Sequence, residues 1–416
     1  MAYLLLIVSC VSLAFSAGCD CNDNGGPVSD GATAESGSDD GAVVDEAVAD
    51  SSQPACASYT SITADISTSQ TLDGCYLVEK KITITNNAVL TIAAGSVLVF
   101  KQDTGFYVEP DGAMKAEGTA AEPILFTGET KTRGFWNGLR FHNNDSSNNI
   151  LDHVVVEFGG GEKFPYGEQA NVAVTSSGLP VTMTITNSIL RQSAGFGCFI
   201  DQLTTLSSFA NNTLTGNATG AAFVEDDAVS QLDASTTCTG NDADIVWVAA
   251  SGITASQTWP ALDVPYLIDG DLHIGQSPGV TLTLSPGTTF RLRENSGFTV
   301  GANGTLVAKG TAGSPITFTW ADQGKHWQGI LFHNSDTPNV LERVVVSYGG
   351  GKAPAYGDKA NIALTSSGFS ARLTLTDSQI SNSAGYGAWV CSTCTLTQSG
   401  HNMFSGNAES PDVFQP

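Results

Sequence analysis

Basic residues are scarce in this chain: 17 Lys and Arg stand against 41 Asp and Glu, a formal net charge of −24. Phosphate recognition needs clustered cations, so nucleic acid is excluded as a partner. The same imbalance excludes simple electrostatic docking on anionic lipid. Long apolar runs are missing too. The best candidate, residues 3–17, is about fifteen residues long, whereas a membrane-spanning helix needs about 20. No stretch shows helical periodicity, and each of the 45 glycines disfavours helix by roughly 1 kcal/mol relative to Ala. What is plentiful (Gly, Ser, Thr and Asn) suits short strands joined by tight turns.

The apolar run ends in "SAGC". Residues 1–18 resemble a bacterial lipoprotein signal, and the resemblance implies that Cys19 is lipidated and becomes the new N-terminus. Two features depart from that pattern: no Lys or Arg precedes the run, and Ser16 stands where Leu is usual. An ordinary secretory signal cleaved near the same place is the alternative. Residues 19–54 follow as an acidic linker, with nine Asp or Glu, no base and no aromatic. Such a segment has nothing to form a core and reads as a disordered tether. The expected location is the bacterial cell envelope, at the outer membrane or cell surface, with membrane contact through the lipid only; otherwise the chain is secreted. A monomer is expected.

Nine cysteines are present, and in an exported chain disulfides are the default. Cys56 and Cys75 flank the start of the ordered region and are candidates to staple it. Cys391 and Cys394 form a CxxC without a second pair, which reads as a local disulfide rather than a metal or redox site.

From Tyr76 onward the chain is written twice. "HVVVEFGGGEKFPYGEQANVAVTSSG" from His153 returns as "RVVVSYGGGKAPAYGDKANIALTSSG" from Arg343, and "FWNGLRFHN" from Phe135 returns as "HWQGILFHN" from His326. Residues 55–224 form a first unit, 225–265 a bridging segment, and 266–416 a second unit with a C-terminal cap. Within each unit apolar residues skip one position, as in Leu139 and Phe141, Val154 and Val156, Val172 and Val174. That is the period of a half-buried strand. Short strands at regular spacing, with asparagines at turns such as Asn187, Asn211, Asn217 and Asn407, predict an all-β solenoid. The motifs "GTLVAKGTAGSPITFT", "HWQGILFHN" and "NVLERVVVSYGGG" resemble bacterial right-handed parallel β-helix repeat proteins with a pectin-lyase-like fold, from about Cys56 to Ser410. The resemblance implies that fold and leaves function open, because the fold hosts lyases, glycosidases, adhesins and proteins of no assigned activity.

The duplicated excursions 159–171 and 349–361 each carry three glycines, a Tyr, an acid and an Asn. Tyr166, Glu168 and Asn171, with Tyr356, Asp358 and Asn361, are candidate binding residues, because loops on a rigid scaffold carry recognition groups. The competing reading is structural, with glycines turning a corner and the Tyr packing over it. Trp136 and Trp327 are further binding candidates or edge-packing residues. A catalytic reading places Arg140 and Glu157, with Asp152, on one outer face of the first unit. The second unit has Leu331, Ser347 and Glu342 there instead. The resemblance implies that a lyase of this fold would use carboxylate-held Ca²⁺ beside such a base; under every other reading no cofactor is expected. The expectation is a non-catalytic surface module that binds polysaccharide or surface glycan. A polysaccharide lyase or glycosidase, or a structural spacer, is the alternative.

Overall fold

Alternation decides the local structure. In Val181–Thr186 the residues Val181, Met183 and Ile185 are buried while the intervening threonines are half-exposed, and β-branched Thr fits a pleated, half-covered surface. The computed structural model describes residues 56–416. The expected signal, Cys19 and the acidic linker lie outside the described residues. Among the described residues 39 short strands and one 3₁₀ helix, Asp226–Gln231, follow one another. They pair in parallel from coil to coil, so that Leu139 sits between Phe106 and Val172. The chain is a parallel β-helix.

Five sheets build it. Sheet 2 has 13 strands and runs through both units, from Lys81–Ile84 to Met403–Ser405. In the first unit it is flanked by a seven-stranded sheet 1 and a six-stranded sheet 3, and in the second by a seven-stranded sheet 4 and a six-stranded sheet 5. One apolar core runs from Ile62 to Cys394. Phe100 stacks on Trp136 at 4.0 Å and Phe290 on Phe318 at 5.0 Å. Each such side chain contributes roughly 1.5–3 kcal/mol on full burial. Corner amides are satisfied by stacked asparagines: Ser193 N donates to Asn217 Oδ1 at 3.0 Å, and Asn217 N donates to Asn241 Oδ1 at 3.0 Å. Disulfides join Cys56 to Cys75 and Cys391 to Cys394. Cys198 and Cys238 are free and buried.

The segment 225–265 does not leave the solenoid. Asp226–Gln231 follows the sheet 2 strand Gly220–Glu225, at the point where a sheet 3 strand is due. Thr237 pairs with Thr213, and Val246–Ala249 then returns to sheet 2. The repeat restarts one face later. Tyr76 lies in a sheet 1 strand, Cys75–Val78, whereas its counterpart Tyr266 lies in the sheet 2 strand Tyr266–Asp269. Every equivalent strand of the second unit is advanced by one face. Loop 159–171 therefore enters sheet 2 from sheet 1, while loop 349–361 leaves sheet 2 for sheet 4. The two copies of one loop lie at opposite strand ends of the shared sheet.

Candidate functional site

The trio of the catalytic alternative is not assembled. Arg140 lies in sheet 2, Asp152 in sheet 3 and Glu157 in sheet 1. With three faces to a coil, residues 17 positions apart fall on different faces. Glu157 points out of the coil, as its parity demands, but it is 5% exposed. Its Oε2 accepts from Arg191 Nε at 2.8 Å, and its Oε1 accepts from Thr127 Oγ1 at 2.7 Å. Asp152 Oδ1 accepts from Thr186 Oγ1 at 2.7 Å and Asn187 Nδ2 at 2.8 Å. Arg140 Nε donates to Thr175 Oγ1 at 3.2 Å. Three or more His, Cys, Asp or Glu side chains placed to hold a metal are not found among the described residues. Asp152 and Glu157 do not converge, so they do not fit the Ca²⁺ site that the lyase alternative implies.

Trp136 and Trp327 are also not surface groups. Both are fully buried, and their indole N–H groups donate to the carbonyls of Glu157 at 2.8 Å and Ser347 at 2.7 Å. Asn171 and Asn361 are likewise fully buried. Asn171 Oδ1 accepts from Gly159 N at 2.9 Å, and Asn361 Oδ1 accepts from Gly349 N at 2.7 Å. Each Asn ties the base of its loop to the strand that follows. Glu168 is held by Lys163 at 2.6 Å, and Asp358 accepts from the Lys359 amide at 2.7 Å.

What remains outside is the tyrosine of each loop. Tyr166 is 65% exposed and Tyr356 55%. Neither ring is free on both sides. Tyr166 lies parallel to His142 at 5.9 Å, and Tyr356 lies parallel to His333 at 5.4 Å. The loop can lie this close to the sheet because of Gly167 and Gly357: a Cβ at either would stand 2.8 Å from the Thr175 or Thr365 methyl. Tyr166 adopts φ 61°, a left-handed conformation uncommon for a bulky residue, which Tyr356 does not share.

Each histidine sits in the same polar net. His142 Nδ1 meets Thr175 Oγ1 at 3.0 Å, and His333 Nδ1 meets Thr365 Oγ1 at 2.9 Å. Asn143 and Asn334 each donate Nδ2 to the neighbouring imidazole Nε2 at 3.0 Å. Their Nδ2 groups also donate to Ser177 Oγ at 2.7 Å and Ser367 Oγ at 2.8 Å, and their Oδ1 atoms accept the same serines' backbone N–H at 2.7 and 2.8 Å. With Nε2 accepting, Nδ1 carries the proton. Burial first, then the nearby Arg140 charge, lowers the His142 pKa, and burial lowers that of His333. Both imidazoles are neutral at pH 7.

Beside each net stands an exposed apolar side chain, Leu179 at 54% and Phe369 at 73%. Large exposed hydrophobics among the described residues number seven, and four of them are Tyr166, Leu179, Tyr356 and Phe369. The exposed apolar surface is thus concentrated at one constellation present in both units. Its sequence signal is the repeated "FHN" and "TSSG". The two halves are 32 or 33 residues apart and meet only because His142 pairs with Thr175 and His333 with Thr365 in adjacent coils.

Sequence reasoning also missed an outer ladder on sheet 2. Phe199, Phe223 and Trp247 are consecutive register partners, with centroids 5.3 and 6.1 Å apart, and the Arg293 guanidinium covers Trp247 at 4.2 Å. The ring faces are spent on one another, so the ladder offers edges rather than stacking platforms. Glu225, two residues after Phe223 on the same strand, has a carboxyl pushed up to about 7, by burial first and then by Asp201 and Asp226.

The family model described as a pectate-lyase-like β-helix domain matches residues 61–178, a span that ends just past the Tyr166–His142–Ser177 constellation. No curated protein matches the chain.

Proposed function

We propose that the chain is a non-catalytic binding module of the cell surface, with carbohydrate as its ligand class and one site on each unit. The observation that carries this reading is the duplicated constellation: an exposed Tyr ring backed by a neutral His, ringed by Ser and Asn polar groups and an apolar neighbour. A sugar presents an apolar C–H face and a rim of hydroxyls, so it matches an aromatic platform flanked by fixed amide and hydroxyl groups. The imidazoles, being neutral, set no charge against the ligand; in the first unit the Arg140 guanidinium on Thr175 adds one.

The one-face advance of the second unit points the two sites in different directions. Two such sites engage separate chains of a glycan layer, and avidity follows when both are held. The exported, tethered N-terminus expected from the sequence suits that role, with the lipid on Cys19 holding the solenoid at the envelope. Among the described residues no helix is long and apolar enough to cross a membrane.

A glycan array probed with the full chain, followed by titration of any hit, tests the reading. Tyr166→Ala or Tyr356→Ala alone should weaken binding on a multivalent surface, and the double variant should abolish it. Retained affinity in the double variant overturns the assignment. Release of unsaturated or reducing-end products from a bound glycan overturns the non-catalytic reading.

A further inference from the structure

Loop 159–171 is packed onto sheet 2 by Phe164, which is 1% exposed and sits among Ala170, Ala173 and Phe199. Tyr107 meets the Phe164 ring edge-on at 5.8 Å. The mouth of this slot is closed by charge: Glu162 Oε2 accepts from Lys81 Nζ at 2.6 Å and from the Tyr107 hydroxyl at 3.2 Å. In the first unit the space beneath the loop is filled.

The second unit keeps the walls and loses the filling. Ala360 and Ala363 stand where Ala170 and Ala173 do, but Pro354 replaces Phe164 and Thr299 replaces Tyr107. A cavity of about 370 Å³ opens between the loop and sheet 4, floored by Leu331, Ala360 and Ala363 and lined by Thr299. That volume lies within the usual range of small-ligand sites, about 300–1,000 Å³. The charges at its mouth are exchanged as well. Asp271 takes the place of Lys81 and Lys352 the place of Glu162, and both line the cavity. Unlike their counterparts they form no ion pair with each other. Asp271 instead accepts from Thr299 Oγ1 at 2.9 Å and lies 3.6 Å from His273 Nε2.

We propose that this cavity is a binding site for a free aromatic amino acid. The first unit shows that the slot takes a phenyl ring, because its own Phe164 occupies the equivalent space. The separated Asp271 carboxylate and Lys352 ammonium match the ammonium and carboxylate of a zwitterion whose ring lies between them on an apolar floor. The site is separate from the Tyr356–His333 constellation and rests on different residues. A single site per chain follows, because the first unit fills its copy.

Calorimetric titration of the full chain with L-phenylalanine, L-tyrosine and L-tryptophan tests the proposal. Saturable binding of at least one, at one site per chain, is expected. Pro354→Phe installs the residue already carried by the first unit and should abolish it. Lys352→Ala, at an exposed position, should weaken it at least tenfold. Phenylalaninamide and N-acetylphenylalanine, which stand for the two ends of a peptide, should each bind at least tenfold more weakly than phenylalanine. No binding of any of the three amino acids at millimolar concentration overturns the proposal, as does unchanged affinity in Pro354→Phe. Equal affinity for either blocked compound overturns the two-charge recognition.

Discussion

Glu157 and Arg191 are register partners in adjacent coils of sheet 1, and their side chains form a covered ion pair, Oε2 to Nη2 2.7 Å. Thr127 Oγ1 and Lys131 complete the carboxylate's surroundings. The second unit meets the same position without charge: Ser347 pairs with Ser381, and Ser347 Oγ donates to Thr319 Oγ1 at 3.0 Å. Removing one partner of a covered pair leaves the other charge without compensation, which costs about 3–5 kcal/mol, whereas replacing both is often neutral. Lys131, 3.4 Å from Oε1, keeps part of the compensation, so Arg191→Ala should destabilise the chain by at most about 3 kcal/mol. Glu157→Ser with Arg191→Ser, the second unit's own solution, should recover most of that loss. Urea melts of the two variants check this, and equal destabilisation would dismiss the argument.

Asn171 and Tyr166 belong to one loop and do opposite things. Asn171 is buried, accepts from Gly159 N, and donates to the carbonyls of Val156 and Arg191 at 3.1 and 2.8 Å. Asn171→Ala leaves buried partners unsatisfied, with an expected loss of about 1–3 kcal/mol. Its local signature is faster hydrogen exchange at the Gly159 amide. Tyr166→Ala removes an exposed ring and should change stability by no more than about 0.5 kcal/mol. The first change should damage the fold and the second only recognition. Circular dichroism melts set beside ligand titration separate them.

The solenoid was legible because its period is local. Leu139 and Phe141, or Val154 and Val156, skip one residue, and both pairs are inside. Parity also gave the direction of Glu157 correctly, but parity says nothing about what covers an outward side chain. Lys131 and Arg191 do so from 26 and 34 residues away. The same limit hid the Tyr166–His142 stack, since a neighbour across the sheet is a full coil distant in sequence. The one-face advance of the second unit was illegible for another reason. It arises from 225–265, the stretch without a counterpart in the repeat, where the 3₁₀ turn Asp226–Gln231 stands in for a strand.

His142 and His333 make the platforms sensitive to acid. Their folded-state pKa values lie below the ordinary value of 6.5, so the folded state favours the neutral ring. Any stability or affinity that depends on the neutral ring is present above the unfolded pKa and is lost as pH falls through the lower folded value. A proton on Nε2 would also face the donated amide of Asn143 or Asn334. Binding at these sites should be constant from about pH 7 upward and should weaken below about pH 6. Ring NMR should show Nδ1–H tautomers at neutral pH in both units. An Nε2–H tautomer in either, or binding that strengthens on acidification, contradicts the network.

Glu225 titrates in the opposite sense. Its carboxyl is pushed up from 4.5 to about 7, so the folded state holds a proton that the unfolded state releases. The stability linked to this group is fully present below the unfolded pKa near 4.5 and is lost as pH rises through about 7. Asp201 is the neighbour that makes ionisation harder after burial itself, and its own pKa is raised by burial. Glu225→Gln keeps the shape of the protonated acid and removes the titration. The variant should match the parent near pH 4 and exceed it in thermal midpoint at pH 8, with the gap opening between about 4.5 and 7 and levelling off above. Because Glu225 is already protonated where Asp201 titrates and burial is what raises Asp201, the raised Asp201 pKa should stay unchanged in the variant. Parallel melts across pH 4–8 read the first effect, and carboxyl-carbon NMR titration reads the second. A midpoint difference that stays constant across that range would remove Glu225 as the source of the pH dependence.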